Sequence, residues 1–299
     1  MKIYMTGATG RIGRDVFAKV DAIPLVRRKS GLKNEIVTDF SLSSLRTILE
    51  DADMVIHFAG CLNTWDAKAM KEANVSLTWR IADATPDDCK IVLAGSITVY
   101  GKKLKKLPVT EATPANPDSD YSRTKYEAEK IVARKKNHCI LRLGVVYGPQ
   151  FEDYFRVIEM IEKGRMVVFG KGDNQVSFVH TEDIAAVFPK VLEKEGIYTL
   201  SGPSATQSGI YKYAADALGV SPPKTHLPIW AGMLLGMAWE IGARFGRKPT
   251  LTREHVGILS ANRSFDYSKA QKELGFNPRP IKEGIEEMAR EYKARNQPL

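Results

Sequence analysis

Lys2-Ile3-Tyr4-Met5-Thr6-Gly7-Ala8-Thr9-Gly10-Arg11-Ile12-Gly13 reads as a short apolar strand that turns through three glycines into a helix. Each glycine has a physical job in such a turn: one lets the chain reverse, one lets backbone approach a pyrophosphate, one lets helix and strand pack closely. The start of the following helix offers unpaired N–H groups and partial positive charge to phosphates. A glycine-rich loop alone is a weak signal, and the strand before and helix after it give it weight.

Outward from this loop, β-branched runs alternate with helical patterns. Strands are expected at Lys2–Thr6, Ala22–Arg27, Glu35–Thr38, Met54–Phe58, Ile91–Ala94 and Ile140–Leu143. Helices are expected at Ile12–Lys19, Leu42–Glu50, Ala67–Ala84 and Tyr121–Lys136. That alternation is how an α/β doubly wound parallel sheet is written. Beyond Pro149 the pattern changes to longer helices with brief strands at Val167–Phe169 and Ile197–Leu200. The expected division is a nucleotide-binding domain over 1–165, to which about 178–202 returns, and a smaller, mainly helical substrate lobe from 166–177 and 203–299.

The 299 residues suffice for a sizeable core, and no internal repeat is visible. Cys61, Cys89 and Cys139 are scattered without CxxC or metal-like spacing, which fits a reducing cytoplasm and structural thiols; no metal is expected. No secretory leader is read at the N-terminus. The longest uncharged apolar stretch, Leu227–Trp239, is too short to span a bilayer, which needs about 20 residues. A net charge of +9 favours anions, phosphorylated cofactors among them, but no basic motif interleaved with aromatics points to nucleic acid.

Tyr121 and Lys125 are one helical turn apart and share a face. A free tyrosine, with a pKa of about 10, is phenolate in roughly one molecule in a thousand at pH 7; a nearby ammonium together with a cofactor's nicotinamide charge favours the phenolate. Ser96 closes the fifth strand, at the carboxyl end where such sheets bind ligands, and its hydroxyl is placed to hold a substrate oxygen. Arg27 and Arg28 end the second strand where an acid would accept the ribose 2′-hydroxyl of NAD; two guanidiniums suit the 2′-phosphate of NADP. His57 and the cysteines read as core residues, and His180 as the opening of a helix capped by Thr181.

These motifs in this order resemble the short-chain dehydrogenase/reductase superfamily, specifically its extended branch of NAD-dependent epimerases and dehydratases. The TGxxGxxG loop is joined by His57-Phe58-Ala59-Gly60, Asn74-Val75-Ser76-Leu77-Thr78, the serine segment Ser96–Gly101 and Tyr121-Ser122-Arg123-Thr124-Lys125. Tyr147-Gly148-Pro149, Phe178-Val179-His180 with Asp183, and Asp266-Tyr267-Ser268-Lys269-Ala270 continue the match. The resemblance implies a Rossmann fold and an oxidoreductase in which Tyr121 is the acid/base, Lys125 tunes it and holds the nicotinamide ribose, and Ser96 polarises the carbonyl. It implies NADP, or NAD, held by Gly7, Thr9, Gly10, Arg11, Ile12, Gly13, Arg27, Arg28, Asp39, Phe40, Phe58, Ala59, Gly60, Asn74, Tyr121, Lys125 and Val146. It also implies a homodimer formed through the helices at Ala67–Ala84 and Tyr121–Lys136.

Within that family, sugar-nucleotide members carry an arginine in GxGxxxRxF and another some ten residues before DxSKA. Here those places fall on Val176 and near Val256. The pattern is more similar to the hydroxysteroid dehydrogenase and dihydroflavonol reductase branch, whose substrates are ketones and secondary alcohols. The apolar helix expected at Ile229–Phe245 is read as packing the lobe's core and in part roofing such a substrate. The Lys102–Lys106 loop reads as a solvated charge run. Two other readings stand beside this one: a nucleotide-sugar epimerase or dehydratase, and a non-catalytic dinucleotide-sensing protein.

Overall fold

The computed structural model describes residues 1–62, 66–243 and 251–296. Its strands in chain order are β1 (Ile3–Thr6), β2 (Ile23–Val26), β3 (Ile36–Val37), β4 (Met54–His57), β5 (Lys90–Ser96), β6 (His138–Leu143), β7 (Val145–Tyr147), β8 (Val168–Phe169), β9 (Gln175–His180), β10 (Gly196–Leu200), β11 (Ser204–Thr206) and β12 (His226–Leu227). Seven of them form one parallel sheet in the order β10-β6-β5-β4-β1-β2-β3. This is the doubly wound Rossmann-like sheet expected from the alternation of strands and helices.

The strands of the sheet are continuous apolar runs, because helices cover both faces. Met5, Ile56, Val92 and Leu141 pack one face against Ile184, Phe188 and Leu274. Tyr4, Leu25 and Val55 pack the other against Leu45, Leu77 and Ile81. Strand order reverses between β1, which leads to β2, and β4, so a crevice opens at their carboxyl ends. Every expected strand is present, each with at least one end shifted by one or two residues.

The helices differ more from expectation. The one after the glycine loop is only Gly13–Phe17, shorter than the expected Ile12–Lys19. The Ala67–Ala84 helix contains a π-helical turn at Glu72–Ser76, which carries Asn74 inward. The Tyr121 helix runs Asp120–Val132, closed at its start by a reciprocal cap between Ser119 and Ser122. At His180 the expectation is corrected: His180, not Thr181, is the cap, its Nδ1 accepting from Glu182 N–H at 3.3 Å.

The C-terminal part builds a second core from Phe155, Ile158, Val168, Val176, Ile210, Ala214 and Met288, under the small sheet β11-β9-β7. Asn174 and Gln175 tie it to residues 259–263. The helix Ile229–Ala243 lies on its outside; the remainder of the expected Ile229–Phe245 helix lies outside the described residues.

Candidate active site

The glycine loop wraps the end of β1 with no room for a side chain. Gly7 has φ +77°, and a Cβ there would lie 2.5 Å from Ala59 N and 2.6 Å from Phe58 C. At Gly13 a Cβ would lie 2.0 Å from the Gly7 carbonyl oxygen. The backbone of the loop is thus pressed onto Phe58-Ala59-Gly60 beyond β4, across the crevice where strand order reverses. Thr9, Gly10 and Arg11 face solvent there, while Ile12 and Val146 are half-buried. Arg11 reaches the start of the helix Glu152–Glu162, pairing with Asp153 at 3.1 Å and lying 4.5 Å over the Phe151 ring.

A buried network holds this crevice in shape. The Thr78 hydroxyl donates to the Asn74 carbonyl at 2.7 Å, so His57 Nε2, 2.9 Å from it, must be the donor. His57 Nδ1 then accepts from the Thr6 hydroxyl at 2.7 Å. The ring is neutral, since burial and the Lys125 charge push its pKa down to about 3. Asn74 receives Cys61 N–H at 2.8 Å and donates to Cys61 O at 3.0 Å and Thr124 Oγ1 at 3.1 Å. With these bonds spent inside the protein, Asn74 positions the 60–61 turn against the Tyr121 helix rather than reaching for a ligand. His57, Cys89 and Cys139 are core residues, whereas Cys61 is half-buried.

At the end of β2, Arg27 and Arg28 are exposed, and Arg27 lies 6.0 Å from the centroid of Phe40. Phe40 is buried at φ +59°, an uncommon conformation for its residue type. Asp39 accepts from Ser41 N–H at 2.9 Å, which lowers its pKa and keeps an exposed carboxylate at the rim. A loop that excludes side chains, with exposed guanidiniums at the end of β2, is a donor set that fits an anionic dinucleotide.

Ser96, Tyr121 and Lys125 come together at the end of β5. Ser96 Oγ accepts from Thr98 N–H at 3.2 Å and from Thr98 Oγ1 at 2.9 Å, and it hydrogen-bonds to the Tyr121 hydroxyl. Lys125 Nζ donates to the Ala94 carbonyl at 2.5 Å. Burial pushes Lys125 down to about 8, partly opposed by the charge of Glu129. Burial also pushes Tyr121 up to about 12, against the Ser96 hydrogen bond, which lowers it. In the protein alone the low-dielectric surroundings keep Tyr121 protonated, and the Lys125 ammonium is turned to Ala94; the expected phenolate draws on a cofactor's nicotinamide charge as well.

Two further clusters at the site were not expected from the sequence. Glu129 continues the Tyr121–Lys125 face by another turn and is buried against Arg142 at 2.8 Å. Arg142 in turn donates to the Tyr100 hydroxyl at 2.7 Å, and Glu129 accepts the Ser96 backbone N–H. The i, i+4, i+8 spacing of Tyr121, Lys125 and Glu129 was the available signal. Glu254 lies near Tyr121, paired with Lys102 at 2.9 Å, and Lys102 also holds Asp118 at 3.1 Å. No sequence pattern marks that clasp.

The clasp walls a cleft of about 470 Å³ beside Tyr121, also lined by Arg123, Met233, Glu240 and Arg253. Its wall is mostly charged, so the expected apolar roof is reduced to Met233. Lys102 is drawn out of the expected solvated run into the site. Val176 and Val256, at the two places where sugar-nucleotide members carry arginine, are buried apolar side chains. Arg263 is buried and donates to the Ile97 carbonyl at 3.2 Å. Its pKa is lowered to about 10 by burial.

Residues 3–200 match the model of the NAD dependent epimerase/dehydratase family. Among curated proteins the chain is 30% identical to short-chain dehydrogenase/reductase family 42E member 1 of Xenopus laevis, over 54% of this chain and 49% of that one. It is 26% identical to 3beta-hydroxysteroid-dehydrogenase/decarboxylase isoform 1 of Arabidopsis thaliana, over 62% and 49% respectively. The chain thus spans about half the length of the curated relatives it matches. Its fold is similar to the crystal structure of gox2253, with a TM-score of 0.78, 24% identity, and 99% and 98% of the two chains covered. A UDP-glucose 4-epimerase of Thermotoga maritima solved with UDP-glucose is similar at a TM-score of 0.75 and 19% identity, over 99% and 100%.

Proposed function

The chain belongs to the NAD-dependent epimerase/dehydratase family, and on that premise we propose that it is an NADP-preferring oxidoreductase of a ketone/secondary alcohol pair. The observation that carries the reading is the convergence of Ser96, Tyr121 and Lys125 at the carboxyl end of β5, beside an open cleft. A bound nicotinamide cofactor would supply or accept the hydride. Ser96 donates a hydrogen bond to the substrate oxygen and so fixes the carbonyl. Tyr121 gives that oxygen its proton in reduction and takes it back in oxidation. Lys125, beneath both, holds positive charge against the ribose side of the crevice. Glu129 and Arg142 position Ser96 through its backbone N–H.

The NADP preference rests on Arg27 and Arg28, since guanidiniums meet a 2′-phosphate with charge-assisted hydrogen bonds. Calorimetry with NADPH and NADH on the purified chain tests it. The expected result is at least tenfold tighter NADPH, with the preference lost in Arg27→Asp/Arg28→Ala. Tighter NADH on the unaltered chain refutes it.

A second reading, sugar-nucleotide epimerisation, is favoured by the polar wall of Lys102, Asp118 and Glu254, which suits hydroxyl groups. Buried Val176 and Val256 stand against it, because a diphosphate in a partly dehydrated cleft needs its charge met. Micromolar binding of UDP-glucose to cofactor-loaded protein, lost on neutralising Arg253, would put this reading first. Turnover of a ketone panel with NADPH supports the first reading.

A further inference from the structure

The helix Ile229–Ala243 is apolar around nearly its whole circumference, yet only Gly232 and Gly236 are buried. Those two glycines are its contact face. A Cβ at Gly236 would lie 2.7 Å from Arg253 N, and one at Gly232 would lie 2.8 Å from the Phe169 ring. The helix is therefore clamped to the lobe on its glycine side and cannot turn its large side chains inward. Trp230, Leu234, Leu235, Trp239 and Ile241 stand in solvent, Trp230 at 67% exposure and Leu234 at 53%. Its one charged residue, Glu240, is turned to the lobe and held by Arg253 at 2.7 Å. A monomeric soluble protein rarely leaves so continuous an apolar surface uncovered.

We propose that this helix is a membrane-surface docking element, lying in the interface of an anionic lipid bilayer. Four observations select a bilayer as the occupant. Among the described residues no helix is long and apolar enough to cross a membrane, and Glu240 interrupts the apolar run of this one, so the docking proposed is along the surface. Tryptophans near both ends, Trp230 and Trp239, are the residues that favour the headgroup level. Exposed cations flank its start: Lys171 follows Gly170, where an added Cβ would lie 3.4 Å from Ile229, and Lys224 precedes β12; Asp173 is the nearby acid. The whole chain carries a net charge of +9, which draws it to anionic lipid. A second copy of this chain would bring the same cations toward one another. Met233 of the same helix lines the cleft at Tyr121, so docking would set the mouth of the site at the lipid surface. The proposal does not depend on the catalytic reading.

Co-sedimentation of the full chain with phosphatidylcholine vesicles, with and without phosphatidylglycerol, tests it with no substrate present. Binding is expected to both, several-fold stronger with the anionic lipid and weakening as salt rises. Trp230→Gln/Leu234→Gln/Ile241→Gln should weaken it at least tenfold, with NADPH binding and the thermal midpoint held. An unaltered protein that stays in the supernatant with both vesicle types overturns the proposal, whether or not the variant folds. So does a protein that ignores vesicles but sediments as a dimer that the triple variant dissociates. Vesicle binding unchanged in a folded triple variant overturns it as well, since charge alone would then suffice.

Discussion

Tyr121 shows how one residue's chemistry is set by its surroundings. Burial pushes its hydroxyl up to about 12, so it is a proton donor throughout the neutral range. If it acts as the acid, ketone reduction should be flat in kcat from about pH 6 to 9, while the oxidation direction rises with pH as tyrosinate becomes accessible. Lys125, pushed down to about 8, loses its charge above that pH, and the KM for cofactor should rise there. Tyr121→Phe should reduce turnover by a factor on the order of 10²–10⁴ with cofactor affinity nearly unchanged. Turnover within a few-fold of the unaltered protein would remove Tyr121 from its role.

Among the elements, the glycine loop is the most tightly constrained. Gly13 closes on the Gly7 carbonyl, and an added methyl would meet that backbone oxygen at 2.0 Å, with no flexible side chain to yield. Gly13→Ala must therefore open the loop; overpacking of this kind costs about 1–3 kcal/mol. The thermal midpoint should fall by several degrees and NADPH affinity by at least tenfold. Gly242→Ala, with nothing within 4 Å of its added Cβ, is the control and should leave both unchanged. Equal behaviour of the two variants would mean that the loop does not grip a cofactor. The π-helical turn at Glu72–Ser76 belongs to this scale too. Its extra residue swings Asn74 under the 60–61 turn, which a regular helix over Ala67–Ala84 would not do.

At the scale of the whole molecule, the site is finished by a helix far along the chain. The helix Arg253–Ser260 brings Glu254 to Lys102 and Ser119, next to Tyr121. Glu254 also raises the Tyr121 pKa through its charge. Glu254→Gln should raise the KM for substrate several-fold and leave NADPH affinity unchanged. It should also bring the alkaline limb of ketone reduction to lower pH, since one opposing negative charge is gone. An unmoved limb together with an unmoved KM would show that the clasp only closes the fold.

What the amino-acid sequence determined by itself is what neighbours along the chain decide. Strand–glycine–helix order, the alternation that makes a parallel sheet, and the Tyr121–Lys125 spacing all follow from backbone freedom and helical period within a few residues. The placing of Ser96 at a strand end follows from the same local pattern. Only the tertiary structure decided the Glu129–Arg142–Tyr100 group, the Lys102–Glu254 clasp and the direction of the Tyr121 shift. Each depends on charges brought together from distant segments, and on how much water the docked lobes exclude between them. The outward helix Ile229–Ala243 is the plainest case. Its sequence is apolar on every side, so periodicity could not say which face is covered; Gly232 and Gly236 mark it, being the residues of the helix that are buried against Phe169 and Arg253.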